Sequence, residues 1–98
     1  MTIAALIIRR FNVKADGVAT MARMAKAVEL SVVPPYGALV DFNDGTGEAP
    51  VSTVRVRARG AHPPAVAEPD VEILTKTEDG VGLPDALAAG WQRVEAAP

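Results

Sequence analysis

Arg55, Arg57 and Arg59 alternate along one stretch of this 98-residue chain, and alternate residues of a strand lie about 6.6 Å apart, close to the spacing of successive phosphates. That row is the best candidate for nucleic-acid chemistry. Strand-borne nucleic-acid sites also use aromatic platforms, and Phe11, Tyr36, Phe42 and Trp91 do not interleave with the arginines. A second row answers the first. Glu68, Asp70 and Glu72 alternate along the next stretch, and an antiparallel hairpin sets Arg59 opposite Glu68, Arg57 opposite Asp70 and Arg55 opposite Glu72. The same register brings Val56 opposite Val71 and Val54 opposite Ile73. The arginines are therefore expected to form cross-strand ion pairs, and nucleic acid is not an expected partner.

The remaining candidates for chemistry are isolated. His62, the only histidine, lies in a proline-bounded stretch and would need a partner from elsewhere to act as a base or a ligand. Ser31 or Ser52 could be written into a triad with it, but no nucleophile-elbow pattern surrounds either serine. Residues 41–48, Asp-Phe-Asn-Asp-Gly-Thr-Gly-Glu, have the composition of a calcium loop and the wrong spacing, because the required glycine position holds Thr46. Gly45 with Gly47 and Gly80 with Gly82 lack the lysine and the strand-to-helix setting of phosphate loops. There are no cysteines, so thiol catalysis and zinc ribbons are excluded. No cofactor and no metal is expected, and the chain reads as non-enzymatic.

Those residues need elements to hold them, and the pattern suggests an α+β domain spanning residues 1–98. Val28, Leu30 and Val32 alternate with polar residues as a half-buried strand, which Pro34, Pro35 and Gly37 end. Residues 38–43 read as a second strand, with Val32 opposite Ala38, Leu30 opposite Val40 and Val28 opposite Phe42. The Asn-Asp-Gly-Thr-Gly turn at 43–47 leads to a third strand over 51–59, with Phe42 opposite Ser52, Val40 opposite Val54 and Ala38 opposite Val56. Residues 70–76 make the fourth. The expectation is a four- or five-stranded antiparallel meander over 28–76, apolar on one face. Two helices are expected to cover that face. One runs over 16–27 with Asp16 as N-cap; the other, over 84–89, has Pro84 in its first turn and Gly90 as its C-cap. Residues 91–95 read as an edge strand.

Residues 1–13 are apolar on both parities through Ile3, Leu6, Ile7, Ile8, Phe11 and Val13, and Arg9 and Arg10 follow the apolar run as charged gatekeepers. Two readings stand: an internal strand, or an arm added to a neighbouring subunit. No apolar run approaches the roughly 20 residues that span a bilayer, so a soluble, cytoplasmic protein is expected, with no membrane partner. Net charge is −2, in blocks. Residues 1–26 hold Arg9, Arg10, Lys14, Arg23 and Lys26 against Asp16, whereas residues 27–50 hold Glu29, Asp41, Asp44 and Glu48 with no base. Blocks of this kind pair within a fold or between subunits.

The function expected from these features is a small interaction or assembly module, acting through a homo-oligomeric or other protein interface. Ile3, Leu6, Ile8, Phe11, Tyr36 and Trp91 are the interface candidates. The alternative is a small-ligand or regulatory domain with a pocket between sheet and helices. Small chains of this make-up occur among mobile-element and virion accessory proteins, and no motif here assigns this one to them.

Overall fold

The computed structural model describes residues 2–56 and 70–94. Its first two elements are thirteen-residue strands, β1 (Ile3–Ala15) and β2 (Val18–Leu30), joined as an antiparallel hairpin. The turn between them is Asp16-Gly17, with φ of 51° and 77°. Positive φ at both central residues matches the right-handed twist of the flanking strands, and an Asp-Gly step adopts it at little cost. This replaces the helix expected over 16–27. Asp16 opens a hairpin instead of capping a helix, and the inward alternation that starts at Val28 and Leu30 continues back through Lys26, Met24 and Ala22.

Short strands complete the sheet: β3 (Leu39–Asp41), β4 (Glu48–Val56), β5 (Val71–Thr75), β6 (Glu78–Asp79) and β7 (Gln92–Val94). The order is β3-β4-β5-β1-β2-β7, with β6 also alongside β1. The sheet is mixed, which corrects the expected antiparallel meander. β1 lies at its centre, parallel to β5 from Ala5 with Val71 to Ile8 with Leu74, and parallel to β6 at Phe11 and Asn12. A strand with neighbours on both edges that carries apolar side chains on both parities reads as a continuous apolar run, as residues 3–8 do. β1 is thus paired within its own chain.

The expected pairing of 28–32 with 38–43 does not form, because β2 takes β1 as its partner. β3 pairs with β4 alone, Leu39 with Pro50, Val40 with Ala49 and Asp41 with Glu48, a register shifted from the expected one by the six-residue loop that follows Asp41. Beyond an irregularity between Val51 and Thr53, β4 and β5 take the register read from the alternation: Val54 with Ile73, Arg55 with Glu72, Val56 with Val71. A helix follows a 3-10 turn at Gly80–Gly82. This is α1 (Leu83–Ala88), with Pro84 in its first turn and Gly90 at φ 95° beyond its end. β7 pairs with Arg23 to Ala25 at the sheet edge.

The inner face of the sheet carries Ala5, Ile7, Phe11, Met24, Val71 and Ile73, all buried. Ala86 of α1, Trp91, and the half-buried Val33, Val40 and Phe42 pack over it. Among the described residues no helix is long and apolar enough to cross a membrane.

Candidate functional site

Alternation along β1 puts Ile3, Ala5, Ile7, Arg9, Phe11 and Val13 on the inner face, so an arginine occupies a core position. Arg9 is 2% exposed. A buried guanidinium is costly unless its charge and its N–H groups find partners, and here they do. Its Nε and Nη2 donate to the two carboxylate oxygens of Glu78 at 2.8 and 2.7 Å, a bidentate pair. Nη1 donates to the Thr46 hydroxyl at 2.8 Å. Three rings surround the cation, with Cζ 4.2 Å from the Phe42 centroid, 4.9 Å from Trp91 and 5.1 Å from Phe11. Phe42 and Trp91 meet edge to face at 5.2 Å.

The network continues into the loop after β3. Asp44 Oδ1 accepts from the Thr46 backbone N–H and hydroxyl, and Oδ2 accepts from the Trp91 indole at 2.8 Å and Lys26 Nζ at 3.1 Å. Lys26 also donates to the Ala89 carbonyl. Desolvation pushes the Asp44 carboxyl up, but the bonds from Thr46, Trp91 and Lys26 together prevail and hold it well below the usual carboxylate range. No buried side-chain polar atom among the described residues lacks a partner. The residues with the most chemistry in them are therefore occupied with one another, and the cluster joins β1, β2, the 41–48 loop, β6 and the segment after α1.

Sequence reasoning did not find this cluster. Its signal was parity: a charged residue between Ile7 and Phe11 on the inward positions of a strand implies a buried partner. The sequence offers Asp44 and Thr46 as turn residues and as members of a calcium-like stretch with the wrong spacing, and neither reading sets them beside Arg9 or Trp91.

A groove of about 710 Å³ lies where β6 leaves β1, lined by Asn12 to Lys14 and Thr77 to Val81. Gly80 is needed there, since a Cβ on it would come within 2.6 Å of the Asn12 carbonyl oxygen. Two of its polar residues are already engaged. Glu78 holds Arg9, and the Asp79 carboxylate accepts from the Val81 N–H.

The residues singled out from the sequence are dispersed. Phe11 and Trp91 are core residues at 0% and 2% exposure, whereas Tyr36 is 74% exposed. Ile3 packs against the core cluster, and Leu6 and Ile8 lie half-buried on the outer face of the sheet. Arg55 Nη1 stands 3.7 Å from Glu72 Oε2, with Arg55 70% exposed. Asp70 lies just before β5 and donates its N–H to the Ala4 carbonyl. Arg57, Arg59, Glu68 and His62 fall outside the described residues.

The outer face has its own order, set by the pairing. Ile8 is flanked by Ala25 on β2 and Leu74 on β5, and Leu6 by Ala27 and Glu72. None of Leu6, Ile8 and Leu74 belongs to the core cluster or packs against it. No protein-family model, no curated protein and no solved structure matches the chain.

Proposed function

We propose that the chain is a non-enzymatic interaction module whose docking surface is the outer face of the sheet. One observation carries the reading: Leu6, Ile8 and Leu74 are large apolar side chains on the face opposite the core. A sheet with water on one side normally alternates apolar with polar residues, so a second apolar row calls for a cover. The polar cluster around Arg9 supports the same reading from the other side, because its hydrogen-bonding capacity is spent on holding the fold together. A cytoplasmic location and another protein or a further copy of the chain as partner belong to the same proposal.

Ile8→Lys tests it. On a docking face the lysine stem lies along the sheet and its ammonium reaches water, so urea unfolding should show a loss of under about 1 kcal/mol. A loss above about 3 kcal/mol would mean that the chain itself encloses Ile8, and the docking reading would fail.

The groove beside Gly80 supports a second reading, a small-ligand or regulatory domain. Lys14 is the cation at its rim. The carboxylates of Glu78 and Asp79 already accept internal hydrogen bonds, which leaves the groove fewer groups with which to orient a ligand.

A further inference from the structure

The outer face is polar at both ends, and the two ends have opposite sign. Moving along β1, Ala4 stands beside Glu29, Leu6 between Ala27 and Glu72, Ile8 between Ala25 and Leu74, and Arg10 beside Arg23. The end with Glu29 and Glu72, which Arg55 beside Glu72 leaves net negative, the apolar middle and the basic end thus follow one another in three steps. Arg10 and Arg23 are directly opposite, a like-charge pair that is unfavourable by itself. Arg10 turns toward the Thr75 carbonyl, 3.0 Å from its Nη2. Arg23 and Glu29 are exposed and make no ion pair among the described residues.

We infer that the occupant of this face is a second copy of the chain, stacked sheet on sheet about a two-fold axis that runs across the strands. The inference rests on the docking reading above. A two-fold interface sets each patch against itself, so a patch with opposite charges at its ends is satisfied only where the strands of the two copies run in opposite directions. Then Glu29 of each copy meets the Arg10 and Arg23 end of the other, and Leu6 and Ile8 meet their counterparts at the centre. An axis along the strands would set base on base and acid on acid, which disfavours it. Three strands at about 4.8 Å and six residue steps at about 3.3 Å make a patch roughly 14 Å by 20 Å. That is small for a permanent dimer, so the association is weak and reversible.

Sedimentation equilibrium of the full chain up to about 300 µM, a range suited to a small interface, tests this. Wild type should dimerise, and its affinity should fall several-fold between about 50 mM and about 500 mM salt. Arg23→Glu and Glu29→Arg should each weaken association tenfold or more, because each sets like charges together at both contacts. An equimolar mixture of the two variants should recover wild-type association, since the heterodimer restores an acid–base meeting at both ends; two misfolded proteins could not do this. A wild-type monomer at the highest concentration, unaltered association of the single variants, or a mixture no stronger than its parts overturns the inference. A tolerated Ile8→Lys would then leave the docking face standing with a different protein as its occupant, whereas an unfolded Ile8→Lys would remove both.

Discussion

Removing Glu78 should strand a positive charge in the core. In the folded chain Arg9 is 2% exposed and Glu78 23% exposed, and the two share a bidentate pair. Breaking a fully enclosed pair by deleting one partner costs about 3–5 kcal/mol. Two features of this site reduce that figure: Glu78 is partly hydrated already, and three ring faces with the Thr46 hydroxyl continue to hold the guanidinium. We therefore expect Glu78→Ala to cost about 2–3 kcal/mol, a fall of roughly 10–20 °C in Tm for a domain of this size. The informative variant is the double. Arg9→Met placed in the Glu78→Ala background removes the stranded charge and fills the cage with a flexible apolar chain, so it should recover at least about 1 kcal/mol. Trp91, the only tryptophan, sits against Arg9 and reports urea unfolding by its fluorescence. A double variant less stable than Glu78→Ala alone would show that Arg9 contributes chiefly through its rings and Thr46, and the argument from charge would be refuted.

Two further outcomes follow from the same geometry. Asp44 has a folded-state pKa below its unfolded value, so its contribution is complete above about pH 5 and is lost as pH falls through about 4 and below; Asp44→Asn should cost about 1–2 kcal/mol at neutral pH by urea unfolding, with the gap to wild type closing in acid. At the hairpin turn Gly17 has φ of 77°, so Gly17→Ala should cost about 1 kcal/mol in the same assay while Asp16→Asn is neutral within about 0.5 kcal/mol, Asn being as well suited to that position.

Between β4 and β5 the alternation was enough to read the register. Val54, Arg55 and Val56 meet Ile73, Glu72 and Val71 because only that register puts apolar with apolar on one face and acid with base on the other. Pro84, Asp85 and Gly90 likewise mark out the short helix. The hairpin was hidden by composition. Ala19, Met21, Ala22, Met24, Ala25 and Lys26 favour helix by intrinsic propensity, and Asp16 suits both a helix N-cap and a turn; the strand wins through thirteen paired positions with β1. The parallel join of β1 to β5 was not legible at all, since a period of two says which face a residue takes and nothing about which strand lies beside it. Arg9 was misjudged for a related reason. Adjacent to Arg10 it reads as a solvated gatekeeper, yet neighbouring residues of a strand point to opposite faces, so only one of the two could be outside.

The placement of Arg9 and Glu78 also bears on chain entropy. The hairpin of β1 and β2 closes across a two-residue turn, whereas the join of β1 to β5 and β6 brings together residues as much as 69 positions apart. On the logarithmic scaling of loop closure that difference is about 3 kcal/mol of lost conformational freedom. The bidentate pair spans this longer closure, next to the strands that make it. A charge pair accepts far fewer alignments than an apolar contact does, so β6 has one position at which Glu78 meets the guanidinium. The arginine in the core thereby selects a single alignment for the pairing of β6 with β1.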